Sequence, residues 1–173
     1  MAKPTKLVPR EGKDGIRFYV SDDARIAYQI LPNGQKKSVR ATPTTCENSK
    51  LQSDANRKQR YLQFKGAFGN GKHILASHAV HLAWIGPIPQ GYVVDHLNGI
   101  TTDNRMSNLQ AVTPEENSKR AGMLRCLRKA GRDPRQMSRD ELLRLFDSFD
   151  LVEPDRQYEE ELSNPIQFHL LND

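Results

Sequence analysis

Val93-Val94-Asp95-His96-Leu97-Asn98-Gly99, continued by Asp103-Asn104-Arg105, Asn108-Leu109 and Thr113-Pro114-Glu115-Glu116-Asn117, is the stretch that decides how the rest of the chain is read. Two apolar pieces, Tyr92 to Val94 and Leu109 to Val112, flank a polar loop of Asn, Gly, Thr and Asp, and a helix start follows at once. The order is strand, loop, strand, helix. Thr113 is placed to cap the first helical turn, Pro114 suits the first helical position, and Glu116 completes a capping box. Asn117 then ends the first turn of a helix that packs back over the two strands.

The order Asp95-His96, then Asn108 twelve residues past the histidine and Asn117 twenty-one past it, resembles the HNH endonucleases of the ββα-metal, or His-Me finger, type. The flanking words, from Asp95-His96-Leu97-Asn98-Gly99 to Thr113-Pro114-Glu115-Glu116-Asn117, resemble the phage and intron-associated homing group within it. The resemblance covers about residues 76 to 122. It implies an α+β fold with a ββα-metal core over residues 76–122, an N-terminal β-rich region over 1–75, and a C-terminal helical extension with an acidic tail over 123–173. It also implies a metal-dependent DNA endonuclease leaving 5′ phosphate and 3′ hydroxyl ends, in the cytoplasm of a host that carries a phage or mobile element. His96 would be the base, Asn108 its orienter, and Asp95 and Asn117 the metal ligands. The rival readings are a non-catalytic DNA-binding or host-interaction protein on the same fold, and a nuclease acting on RNA or structured DNA.

The side chains suit that chemistry. Phosphodiester hydrolysis needs a base to deprotonate water and a cation to stabilise charge on the phosphorane and the leaving 3′ oxygen. A neutral imidazole at His96 accepts a proton near pH 7, and the Asn108 carbonyl is a suitable partner for its other ring nitrogen. Asp95 and Asn117 offer oxygen donors, which suit Mg²⁺, with Mn²⁺ as the alternative, better than a soft metal. With one carboxylate and one amide, the ion must complete its shell from water and phosphate, so binding without DNA should be weak. Adjacent strand residues point to opposite faces, so Asp95 and His96 share a site only if the strand ends or twists there, as the Asn98-Gly99 turn allows. Asn104 is given a structural role in the loop. Arg105 either reaches the phosphate near the cut or braces the loop.

Net charge is +5, but from Asp140 onward ten acidic residues face two basic ones, leaving a net of −8 there and +13 on residues 1 to 139. A positive body of this size favours a polyanion such as DNA. A hydrophobic fraction of 36% predicts a modest core with considerable loop. No apolar run is long enough to cross a bilayer, and no signal core follows Met1-Ala2-Lys3-Pro4. Cys46 and Cys126 lie far apart, which argues against paired-thiol zinc and a disulfide framework. Oligomeric state is not readable.

Along the chain, residues 1 to 14 read as loose, Ile16 to Val20 and Ala24 to Leu31 as strands around a Ser21-Asp22-Asp23 turn, and residues 41 to 60 as a loop or linker ending in Arg57-Lys58-Gln59-Arg60. Tyr61 to Phe64 and Lys72 to Leu75 read as a hairpin. Ser77 is a candidate cap for a short helix through Trp84, stopped by Gly86-Pro87, with His78 and His81 structural. The helix from Thr113 should run towards Ala130 with Gly131 as its stop, and its basic residues Lys119, Arg120, Arg125 and Arg128 are the candidates for DNA-backbone contact. Ser138 to Glu141 forms a second capping box ahead of an apolar face of Leu142, Leu145, Phe146 and Phe149. The acidic tail after Asp150 should avoid DNA.

Overall fold

The computed structural model of the protein describes residues 3–10, 15–44, 61–69 and 71–149. The Arg57–Arg60 cluster, Cys46, the Phe149 side chain and the acidic tail lie outside the described residues. The protein is a mixed α/β structure. Its first sheet has four antiparallel strands in sequence order, β1 (Thr5–Leu7), β2 (Arg17–Ser21), β3 (Ala27–Ile30) and β4 (Lys36–Ser38). The expected pair of strands is there, the second shorter than its sequence suggests. Residues 5 to 7, read as loose, are a strand because Lys6 pairs with Val20, its ammonium lies over the Trp84 ring at 4.5 Å, and Val8 beyond it is buried.

A second sheet joins β5 (Ala41–Pro43), β6 (Leu62–Phe64) and β7 (Ile74–Leu75) in that order, so the expected hairpin is present. The reading of residue 41 onward as loop is corrected at its start: Ala41 to Pro43 pair with Phe64 to Leu62, and proline is tolerated because β5 is an edge strand. Phe18, Phe64 and Phe68 meet between the two sheets, with ring centroids 5.2 Å and 5.7 Å from Phe18. Gln29, buried on β3, donates to the Gly66 carbonyl and links the sheets.

β7 runs without a turn into α1 (Ala76–Val80), so Ser77 lies buried inside the first turn instead of capping it; the N-cap is Leu75, with no side-chain bond. The helix then widens into a π turn, His81–Ile85, closed by the Gly86 N–H on the His81 carbonyl at 2.9 Å. Gly86, at φ 147°, ends it as expected. Trp84 donates from Nε1 to the Val20 carbonyl at 3.1 Å, pinning this segment to the first sheet.

The two-stranded third sheet, β8 (Val93–His96) with β9 (Leu109–Val112), is antiparallel, with Asp95 opposite Gln110 and His96 opposite Leu109. The helix α2 (Pro114–Lys129) follows. Thr113 Oγ1 accepts from the Glu116 N–H and Glu116 returns a carboxylate oxygen to the Thr113 N–H, completing the expected box. Gly131, at φ 76°, follows the C-cap Ala130. After a short 3₁₀ turn, α3 (Arg139–Phe149) begins with the reciprocal Ser138–Glu141 box. Two buried clusters result. The first gathers Phe18, Phe64, Val80 and Leu109; the second gathers Leu97, Met123, Leu124, Leu127, Leu142 and Phe146. Leu97 and Leu109, at the two ends of the loop that β8 and β9 enclose, fall in different clusters, so that loop lies at their seam. Among the described residues no helix is long and apolar enough to cross a membrane.

Candidate active site

β8 delivers Asp95 and His96 as its last two residues, and the chain turns at once: the Gly99 N–H donates to the His96 carbonyl at 2.7 Å and the Leu97 N–H to the Asn108 carbonyl at 3.0 Å. The strand ends where the pair needs it to. Asp95 and His96 therefore line one cavity of about 390 Å³ together with His78, Tyr61, Gly99 and Asn117. Gly99 adopts φ 68°, which favours glycine, and a Cβ there would lie 2.6 Å from Arg128 Nη2 and 3.0 Å from Leu124, so a side chain would also push these two residues of α2 aside.

His96 is 4% exposed, and its Nε2 lies 3.1 Å from Oδ1 of Asn104, itself 3% exposed. Asn104 Nδ2 donates to the Thr102 carbonyl at 3.3 Å, which fixes the amide so that its oxygen faces the ring. Nε2 therefore carries the proton and Nδ1 the basic lone pair. Burial pushes His96 below the ordinary imidazole value of 6.5, opposed by the Asn104 bond and by Asp95 and Asp103, so the ring is neutral at pH 7.

The amide that bonds the His96 ring is Asn104, where the sequence suggested Asn108. Asn108 faces its own loop: Oδ1 accepts from the Asn98 N–H at 3.1 Å, and Nδ2 donates to Asn98 Oδ1 at 3.0 Å and to the Asp103 carbonyl at 2.8 Å. Asn98 in turn donates to Asp103 Oδ2 at 2.8 Å and accepts from the Ile100 N–H. The Asn104 to His96 contact is not readable from the sequence because several amides crowd one loop, and spacing alone does not say which meets the ring. The loop is tied to the first sheet by the Met106 N–H, which donates to the Asp22 carbonyl at 2.7 Å.

Asp95 is held differently. Its Oδ2 is buried without a hydrogen-bond partner and lies 3.7 Å from Arg120 Nη1. Burial raises its carboxyl above the ordinary range, and the Arg120 guanidinium is the main force against that rise. Asn117, half-buried at the end of the first turn of α2, faces the same cavity. The Asp95 carboxylate and the Asn117 amide, which line the same cavity, are oxygen donors of the kind a hard divalent cation takes while it keeps most of its shell for water and phosphate. Among the described residues no three His, Cys, Asp or Glu side chains converge on one ion.

The basic residues divide. Arg120, which the sequence offered for the DNA backbone, is turned inward, 12% exposed, against Asp95, Gln110 and Phe146. Arg105 braces its loop through paired bonds of 2.8 Å and 2.7 Å to Asp103. Arg128 is exposed and reaches back to the Asn98 carbonyl at 3.4 Å, Lys119 pairs with Glu115 at 3.2 Å, and Arg125 is exposed. His78, read as structural, lines the cavity with Nδ1 buried and unbonded, and burial lowers its proton affinity. His81 bonds the Gly86 carbonyl through Nδ1 at 3.0 Å, a contact within its own segment.

Residues 71–119 match the model of the HNH endonuclease family. The chain is similar to the HNH endonucleases. Among solved structures it resembles the HNH homing endonuclease I-HmuI, from a study of DNA binding and cleavage, at 23% identity with a TM-score of 0.44. That likeness covers 62% of this chain and 52% of the other, so the chain spans about half the length of that HNH relative. No curated protein matches.

Proposed function

We propose that this chain is a divalent-metal-dependent endonuclease that hydrolyses phosphodiester bonds in DNA, nicking one strand or cutting both. The observation that carries the reading is the His96–Asn104 pair: a neutral, oriented imidazole whose basic nitrogen is Nδ1, in the same cavity as the oxygen donors Asp95 and Asn117. In this reading His96 Nδ1 takes the proton from a water that attacks phosphorus, the bond to the 3′ oxygen breaks, and that oxygen takes a proton from solvent to leave as the 3′ hydroxyl. Asn104 Oδ1 stabilises the imidazolium by accepting the hydrogen bond that Nε2–H donates, and Asn108 keeps the loop in shape. Asp95 and Asn117 would hold Mg²⁺ or Mn²⁺, which supplies charge neutralisation at the phosphate when bound. The exposed Arg125 and Arg128, with Lys119, lie on the helix that carries Asn117 and are the candidates for DNA backbone contact.

Supercoiled plasmid, incubated with and without Mg²⁺, tests the reading. Metal-dependent nicking or linearisation by the unmodified chain, lost in His96→Ala and Asn117→Ala, is the expected outcome. Plasmid that stays intact but bound, including one carrying the native locus, would leave a DNA-binding protein on this fold. Equal cleavage by His96→Ala would reject the base assignment.

A further inference from the structure

Arg120 sits where three elements meet. Its Nη1 donates to Gln110 Oε1 on β9 at 3.1 Å and faces Asp95 Oδ2 on β8 at 3.7 Å, and Asp95 and Gln110 are themselves cross-strand partners. The carbon centre of its guanidinium lies 4.8 Å from the ring centroid of Phe146 on α3. Arg120 and Asp95 are 12% and 11% exposed, and Phe146 is 4% exposed. A solvated lysine or arginine on a helix surface has none of this. The contact to Asp95 is long for a hydrogen bond but well inside ion-pair range. Gln110 and the Phe146 face hold the guanidinium back from the carboxylate, so it fixes the plane of the group without saturating its lone pairs. Oδ2 is turned to Arg120 and shut away from solvent, while Asp95 itself lines the cavity.

We propose that Arg120 is a positioning residue, braced from behind by Phe146 of α3, that orients the Asp95 carboxylate for a divalent cation. The C-terminal helix is then part of the site, although it lies beyond the 71–119 match. The proposal rests on the reading of Asp95 as a metal ligand.

Binding of Mn²⁺ alone to the full chain, followed by the electron paramagnetic resonance signal of the free ion, tests it without asking for cleavage. Replacing the partner that orients a metal ligand costs about tenfold in metal affinity or more, and that loss is expected for Arg120→Met. Arg120→Lys, which keeps the charge, should recover part of it. Phe146→Leu, which keeps an apolar side chain in the second cluster but removes the ring face, should weaken Mn²⁺ in the same direction by a smaller factor. Folded Arg120→Met with unchanged or tighter Mn²⁺ binding overturns the proposal. If that variant does not fold, unchanged binding in folded Phe146→Leu does the same. Asp95→Asn separates the two readings. Unchanged Mn²⁺ affinity there rejects Asp95 as a ligand and both readings with it, whereas a loss there with none in the Arg120 and Phe146 variants removes only the role of Arg120.

Discussion

The loop from Leu97 to Asn108 and the helix α2 from Pro114 to Lys129 are both crowded with polar side chains, and they use them in opposite ways. In the loop, Asn98, Asp103, Arg105 and Asn108 bond to one another or to nearby backbone, and Asn104 bonds to Thr102 and to His96 just before the loop. On the helix, direction decides. Asn117, Ala121 and Leu124 face the cavity, Arg120 turns under α3, and Arg125 and Lys129 point to solvent. A loop amide finds its partner among chain neighbours. A helical cation is assigned by whatever covers its face, and here that is Phe146, more than twenty residues further on. Polar residues of similar type therefore build structure in one region and are sorted between buried contacts, the cavity and solvent in the other.

Asn108→Ala should break the loop half of this contrast with the largest effect. Three bonds disappear: the Asn98 N–H and the Asp103 carbonyl lose the partner that Asn108 gives them, while Asn98 Oδ1 keeps the Ile100 N–H; each buried group left unsatisfied costs about 1–3 kcal/mol, so a loss of roughly 2 kcal/mol or more in urea unfolding is expected. Asn104→Ala should cost less stability and instead lower cleavage sharply, because it frees the His96 ring. A stability loss under about 1 kcal/mol for Asn108→Ala would mean that water replaces the amide and that the loop does not hold itself.

Acid tests the buried face of the site next. His78, His81 and His96 all have proton affinities lowered in the fold, first by burial. The unfolded chain takes up protons first as pH falls through about 6.5, so these groups leave stability intact above that value and withdraw it below. The melting temperature should fall between pH 7 and 5, and replacing His81 by Gln should flatten part of that fall. A melting temperature that holds or rises on acidification would contradict the burial assigned to these rings. The same lowering at His96 places the acid limb of any cleavage profile below pH 6.5.

A smaller effect belongs to the junction between the two regions. Thr113→Ala removes the oxygen that accepts from Glu116 N, and N-cap losses of this kind cost about 1 kcal/mol. Asn117 rides on that first turn. The variant should therefore weaken divalent-ion binding along with stability, and a change in stability alone would show that the turn is held by its packing and not by its cap.

How much of this was legible in the chain follows the same division. Thr113, Pro114 and Glu116 act within four residues of each other, and Ser138 and Glu141 likewise, so both boxes and both helix starts were readable from spacing. So were β8, β9 and the hairpin of β6 and β7, whose apolar runs end at turn residues. The strand at residues 5 to 7 was not, because Lys6 carries no strand signal until Val20 and Trp84 are placed beside it. Ser77 looked like a cap because the sequence does not announce that a strand enters the helix directly. The spaced set Asp95, His96 and Asn117 lines one cavity, but the choice between Asn104 and Asn108 depended on which amide already had closer partners. The inward turn of Arg120 depended on α3, and no local pattern around residue 120 records it.

The smallest expected effect sharpens the helix half of the contrast. If Arg125 and Lys129 meet the DNA backbone, each contact releases counterions, and the logarithm of the binding constant falls with the logarithm of salt by about 0.9 per phosphate neutralised. Arg125→Gln and Lys129→Gln should each lower that slope by close to one, equally for all sequences, with little change in melting temperature because both side chains are exposed. Arg120→Gln should do the reverse, leaving the slope nearly unchanged and lowering the melting temperature, since its charge is already spent on Asp95 and the Phe146 face. Three variants that all reduced the slope alike would mean that Arg120 swings outward when DNA arrives, and the sorting of cations by helix face would then hold only for the free protein.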